Sequence, residues 1–340
     1  MKEDQMENFA RLESFLASQW KVAPVEEGAL DTNIDSIYRA VTSGKWRRSK
    51  MDRYSENDTR EKIQVALDLK NDIEFSVPFG GYKSYRFPSY PHVNWADVFA
   101  VNHLRKYGVF VKRSYPYPVK ISFSYCSGVL NKVNNMPLQD QETYLGEFEK
   151  LIDMFSDSQV QFSLYDVASA YGSLGAVLDE LEKNYIRIEE QWAYMPNEHL
   201  EKRLASAERN LQISGVEDLT SLNNSSLAER IKRSAIYCEA LDNLKQRRSF
   251  NKFSSRIQLV NIRGPQPSIH ISSCETSANH FSVGEGVVER RSNRYLQRII
   301  TSRLFNSDLS KGKIKKLATD RELSKGFLGL KHCFYTAYEN

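Results

Sequence analysis

The stretch IEFSVPFGGYKSYRFPSYP, residues 73–91, decides the fold. Ile73, Phe75 and Val77 alternate as a strand with one buried face does, Pro78 ends the run, and Gly80-Gly81 turns the chain away from the sheet. Working outward, Asn94 followed three residues later by Asp97 resembles a capping box, and Trp95, Val98, Phe99 and Leu104 supply the apolar side of the helix it starts. KISFSYC (120–126) alternates as a second strand. Pro137 stands in a first-turn position before Leu145, Phe148, Leu151, Ile152 and Phe155, an amphipathic helical stripe, and VQFSLYDV (160–167) is a third strand. Strand, helix and strand in this order predict parallel crossovers and an α/β fold with a Rossmann-like, mostly parallel sheet.

Around this half the chain divides by pattern. Residues 1–70 read as a helical N-terminal cap, with Phe9, Leu12, Phe15 and Leu16 at helical spacing and a second run from Ile34 to Val41. Within it the segment holding Lys45, Arg47, Arg48, Lys50 and Arg53 is a polar, basic loop. Residues 71–172 form the first α/β half. Residues 173–248 are a helical insertion, in which Pro196 opens one helix and Ser226 with Glu229 makes a capping box for another. Residues 249–340 return to β pattern and end in a basic tail; RIQLVNI, PSIHISS and HFSVGEGVVE are expected to complete the same sheet. No repeat or low-complexity tract interrupts the chain.

Composition excludes several classes. With 340 residues, 41 % hydrophobic and 26 % charged, the chain is an ordinary globular protein with room for a large core. A net charge of +4 does not describe a general polyanion binder. The N-terminal residues hold acids and no apolar core of ~7–15 residues, and no run approaches the ~18–20 apolar residues of a membrane span, so a cytoplasmic protein with no membrane partner is expected. Cys126, Cys238, Cys274 and Cys333 are widely spaced, which fits free thiols. Oligomeric state has no signature here.

Two segments are candidates for chemistry. Gly80, Gly81, Tyr82 and Lys83 follow a strand directly, at the carboxyl end where open α/β sheets bind ligands. The glycines permit a close backbone approach and the lysine offers a point charge to phosphate or carboxylate; a plain turn with an exposed lysine has the same pattern. The second segment runs from Arg263 through His270 and Ser272 to Cys274, Glu275 and His280. Imidazole works as acid or base near neutral pH and Glu275 is placed to orient it, while a hydrogen-bonded structural histidine is the simpler alternative. A zinc site from His270, Cys274 and His280 matches no known spacing, so no metal is expected. Arg230, Lys232, Arg233, Lys245, Arg247 and Arg248 read mostly as a solvated helix face. Between 287 and 316 nine Lys or Arg face only Glu289 and Asp308, a pattern that keeps a nucleic-acid partner open alongside a solvated basic surface.

The order of segments resembles the pyoverdine/dityrosine biosynthesis family, the isocyanide synthases. VPFGGYKSYRFPSYPHVNWADVFAVNHLRKY (77–107) with LQDQETYLGEFEKLI (138–152) matches the layout of that family's P-F-x-x-K segment, hydrophobic helix and strand. RSAIYCEALDNL (233–244) and PSIH (267–270) are similar to its R-S-x-x-[WY] helix and its S-I-H strand. The likeness spans residues 73–290 through short motifs, and the family's acid-glycine turn is Cys126-Ser127-Gly128 here. The resemblance implies an enzyme that condenses an amino-acid amine with a phosphorylated ketosugar, ribulose 5-phosphate, toward an isonitrile without metal or redox cofactor. It implies Lys83 and Arg233 as anion holders and His270 as acid or base. A nucleic-acid-acting or nucleotide-binding protein using segments 45–53 and 287–316, and a non-catalytic binding module, are the alternatives.

Overall fold

The computed structural model describes residues 33–87, 89–214, 218–252, 255–261, 266–272, 274, 284–291, 294–319 and 333–338. Arg263, Glu275 and His280, and the run from Phe9 to Leu16 of the expected cap, lie outside the described residues.

Helices α1 (Ile34–Val41) and α2 (Arg53–Asp68) precede strand β1 (Ile73–Pro78). Helix α3 (Trp95–Lys112) carries the chain to β2 (Val119–Tyr125), and α4 (Leu130–Asn134) with α5 (Leu138–Phe155) carries it to β3 (Val160–Asp166). Four helices follow: α6 (Leu174–Trp192), α7 (Asn197–Ser214), α8 (Asn224–Asp242) and α9 (Lys245–Lys252). The chain then returns to β4 (Ile257–Val260) and the short β5 (Ile269–His270). These strands form one parallel sheet in the order β3-β2-β1-β4-β5. Phe75 stands opposite Ile121 on one side and Ile257 on the other. The order reverses between β1 and β4, the place where sheets of this kind leave a crevice at their carboxyl ends.

The helices form where apolar stripes require cover. Nearly every side of α3 is buried, because it lies between the sheet and a second layer; Val98, Phe99, Val101 and Leu104 join Phe75, Ile121 and Phe123 in the main core. Phe79 stacks on Phe148 of α5 at 4.6 Å between ring centres. A separate core lies in the helical insertion, where Val177, Leu181 and Trp192 of α6 meet Ile236 and Ala240 of α8 and Val129 and Val167 beside the strand ends. One sequence reading shifts: α8 is capped by Asn223, whose side chain accepts from the Ser226 amide, so Ser226 sits inside the first turn. Asparagine accepts that bond as well as serine does.

The expectation that HFSVGEGVVE completes the parallel sheet is overturned. Strand β6 (Gly284–Arg291) pairs antiparallel with β7 (Arg294–Thr301), and helix α10 (Ser302–Ser310) leads to β8 (Ile314–Thr319) and β9 (Cys333–Tyr338) in a second sheet of order β7-β6-β9-β8. The described part of the basic segment 287–316 is therefore folded into strands and a helix. Two causes are visible. The link of two residues between β6 and β7 favours a local hairpin over a distant edge. The β5 edge is occupied by the basic N-terminal loop, whose Arg48 amide donates to the His270 carbonyl at 2.8 Å beside an Arg47–Ile271 bridge. Strand β6 instead packs on the start of α3 so closely that a Cβ on Gly286 would fall 2.5 Å from the Trp95 carbonyl carbon.

Candidate functional site

The chain leaving β1 passes through Phe79 and Gly80 into Gly81, which has φ of +68°, a conformation that favours glycine. From there the backbone brings Lys83 under the N-terminus of α3. The Lys83 ammonium donates to Asn94 Oδ1 at 2.7 Å and to Asp97 Oδ2 at 2.8 Å, and both side chains of the ion pair are 0 % exposed. The capping box read from Asn94 and Asp97 exists: Asp97 Oδ2 accepts from the Asn94 amide at 2.8 Å, and Asn94 Oδ1 accepts from the Ala96 amide at 2.9 Å. Asp97 Oδ1 accepts from the Tyr144 hydroxyl of α5 at 2.6 Å, and Asn94 Nδ2 donates to Ser89 Oγ at 3.0 Å. Burial first, then the Asp97 charge, pushes the Tyr144 phenol well above its ordinary range.

Strand β6 closes this cluster with Glu285, 2 % exposed, whose Oε2 accepts from Ser89 Oγ at 3.4 Å. Burial pushes the Glu285 carboxyl up to about 8, against the pull of Lys83. At neutral pH the cluster thus holds one cation, one anion and a mostly protonated acid. Its charges balance internally. Sequence reasoning placed Lys83 at the strand end and saw the Asn94–Asp97 cap, and missed that the first is the partner of the second.

The remaining candidates lie elsewhere. His270 donates from Nε2 to the Asn261 carbonyl at 2.5 Å, since a carbonyl can only accept, which leaves Nδ1 to accept from Ser49 Oγ at 3.2 Å. Both ring nitrogens are engaged, at the carboxyl ends of β4 and β5. Ser272 Oγ meets Nε2 of His103 at 3.3 Å; burial pushes that imidazole down to about 3 and keeps it neutral. Arg233 is exposed on α8, with its guanidinium 5.6 Å from the Tyr237 ring centre, on the side facing α6. Lys83, Arg233 and His270 contact different neighbours: Lys83 meets Asn94 and Asp97, Arg233 the Tyr237 ring, and His270 Ser49 and Asn261.

Other groups stand where the chain leaves β1 and β2. The Tyr82 ring lies over Gly80, where a Cβ would be 2.7 Å from Tyr82 Cε1. Burial pushes its phenol up to about 12, with the nearby Cys238 thiol of α8 adding to the shift. At the end of β2, Cys126 leads into a turn in which Ser127 donates to Asp166 from its amide at 3.0 Å and from Oγ at 2.6 Å. The Gly128 amide donates to Gln141 Oε1 at 3.1 Å. Cys126, Cys238 and Cys274 are free thiols, as their spacing predicts, and burial pushes the first two up to about 12, which makes them poor nucleophiles. Among the described residues no group of three or more His, Cys, Asp or Glu is placed to hold a metal ion, and no helix is long and apolar enough to cross a membrane.

No protein-family model matches the chain, and no curated protein does. Among solved structures, the chain is similar to the crystal structure of the PvcA protein from Pseudomonas aeruginosa. The two share 13 % sequence identity with a TM-score of 0.63 over 89 % of this chain and 99 % of that one. At this identity the likeness carries the fold: the α/β architecture with its five-stranded parallel sheet, extended over the whole of the other chain.

Proposed function

We propose that this chain is a small-molecule biosynthetic enzyme of isocyanide-synthase type, joining an amino-acid amine to the carbonyl carbon of a phosphorylated ketosugar in its crevice. The observation that carries the reading is the end-to-end fold likeness to PvcA, in a chain whose sequence resembles the motifs of the isocyanide synthases at the strand ends. The crevice chemistry supports it. Imine formation forms a C–N bond, breaks the C–O bond of the carbonyl and releases water, so it needs a donor toward the departing oxygen and a cation toward the phosphate. Tyr82, on the turn after β1, keeps its proton throughout the physiological range and is the donor of this reading. Lys83 contributes by fixing the segment that carries Tyr82, through Asn94 and Asp97.

Some residues of the basic segments behind the nucleic-acid alternative contact the fold: Lys45 lies 5.1 Å from the Trp46 ring centre, the backbone of Arg47 and Arg48 meets Ile271 and His270, and Arg298 pairs with Glu289 at 3.0 Å. The test is incubation with tyrosine, tryptophan or related amino acids plus ribulose 5-phosphate, followed by mass spectrometry. Loss of both reactants together is expected. Neither binding nor loss of either would end this reading, and a salt-sensitive shift with nucleic acid would put the alternative in its place.

A further inference from the structure

The helical insertion holds a cavity that the proposed condensation does not use. Helix α7 carries Leu200, Leu204, Ala207 and Leu211 at the i, i+4, i+7, i+11 spacing of one apolar stripe. The later half of that stripe is sealed, with Ala207 2 % and Leu211 1 % exposed. Leu200 and Leu204, the earlier half, are only partly buried and line a cavity of about 530 Å³, whose other walls are the end of α6 and the first turns of α8. The cause is residue size. Helix α8 turns Ser225, Ala228, Glu229 and Lys232 to the cavity, one face of a helix, and the two small residues leave the space before Leu200 and Leu204 unfilled. Further along α8, where Ile236 and Ala240 stand, packing is complete and both are 0 % exposed. Protein interiors pack as densely as organic crystals, so a gap of this size along an apolar stripe is room for a guest, and its volume lies in the ~300–1,000 Å³ range of small-molecule sites.

Charge selects the guest. Of the charged groups that line the cavity, Glu189 and Lys232 pair with each other at 3.1 Å, while Glu229 is exposed and forms no ion pair among the described residues. The neighbouring cations of α8 are engaged away from the cavity lining: Arg230 donates to the Val133 carbonyl at 3.4 Å and the Arg233 guanidinium lies 5.6 Å from the Tyr237 ring centre. One carboxylate is thus left over beside an apolar floor that includes Trp192, 5 % exposed. We propose that this cavity binds a small apolar amine, its hydrocarbon or aromatic group seated on Leu200, Leu204 and Trp192 and its ammonium at Glu229. An acid of the same shape would bring a second anion to Glu229, and the one lysine in the lining already has its partner.

The experiment titrates the full chain by calorimetry with phenylbutylamine, phenylbutanol and phenylbutyrate, which share a ring and a chain and differ in charge. The wild type should take the amine most tightly and the acid least. Glu229→Gln should weaken the amine about 5-fold, to the level of the alcohol, and leave the alcohol unchanged, which is what one charge pair near water supplies. Ala228→Phe fills the cavity from α8 and Leu204→Trp from α7; each should weaken amine and alcohol alike by at least ~10-fold, with circular dichroism confirming the folds. Two fillings from opposite walls keep the test decisive where one of them disturbs packing. A wild type that takes up no amine overturns the proposal, as does amine binding that persists in both filled variants. Equal affinity for amine and acid, or an E229Q variant that keeps the full preference for the amine, overturns it by removing Glu229 from the site. The condensation fails or stands separately, because none of the three probes carries both of its reacting groups.

Discussion

Two ion pairs of the molecule, one under α3 and one on α9, use charge in opposite ways. The cluster under α3 seals Lys83, Asn94, Asp97, Tyr144, Ser89 and Glu285 between the parallel sheet, α5 and the second sheet, with the ion pair fully out of water. On α9, by contrast, the Arg247 side chain is 18 % exposed and its pairing with Asp242, 67 % exposed, is long at 3.4 Å. A charge balanced inside is a structural tie; a charge held at an edge with a distant partner is free to meet a ligand. The contrast makes Lys83, the cation the sequence offers first, the interior partner of Asp97.

The strongest way to break the comparison is to unbalance the sealed cluster. Asp97→Ala removes the Lys83 counter-charge, half of the α3 capping box and the acceptor of the Tyr144 hydroxyl. Breaking one side of a buried pair costs ~3–5 kcal/mol, because the other charge remains in a low dielectric. Denaturant unfolding should show a loss of that size, and the double substitution Lys83→Met with Asp97→Leu should recover part of it. A loss under ~1 kcal/mol would mean that the pair is solvated and the cluster is not a structural tie.

Glu285 sharpens the same point through pH. Its carboxyl is raised from 4.5 to about 8 in the folded protein, so the folded state binds this proton more tightly than the unfolded chain does. The favourable contribution is complete below about 4.5, declines as pH rises, and is exhausted above about 8. The expected decline is a few kcal/mol, to order of magnitude. Glu285→Gln mimics the protonated acid and should be the flatter of the two between pH 5 and 8.5 when denaturation midpoints are compared. Parallel curves for the two proteins would remove Glu285 from the pH response.

The sequence made the central half legible because local rules suffice there. Ile73, Phe75 and Val77 alternate, Asn94 and Asp97 cap, and the α5 stripe from Leu145 to Phe155 has helical period; each is set by neighbours within a turn or two. The second sheet was not legible, since the choice of β6 between the β5 edge and β7 depends on Arg47 and Arg48, more than two hundred residues away, already holding that edge. The site shows the same division. Tyr82 and the glycines were readable from their place after a strand. The Lys83–Asp97 pairing and the arrival of Glu285 from another sheet depend on tertiary packing that no spacing encodes. His270 illustrates a third case: its residue type suggested acid-base work, and only the positions of Ser49 and Asn261 show both nitrogens engaged.

The smallest expected effect on stability tests the crevice alone. A Cβ on Gly80 would lie 2.7 Å from Cε1 and 2.9 Å from Cδ1 of Tyr82, and both atoms belong to a side chain that can rotate. Gly80→Ala should therefore displace the Tyr82 ring at a cost of about 1 kcal/mol or less, the range of an off-rotamer side chain. The sealed cluster, anchored through Lys83 and the α3 cap, should hold its geometry. If the crevice is where ligand binds, ribulose 5-phosphate affinity should fall by about tenfold, equivalent to ~1.4 kcal/mol, while the denaturation midpoint scarcely moves. Should the midpoint collapse while affinity persists, the two clusters would have exchanged roles: the tie would run through Tyr82, and the half-buried edge would be part of the scaffold.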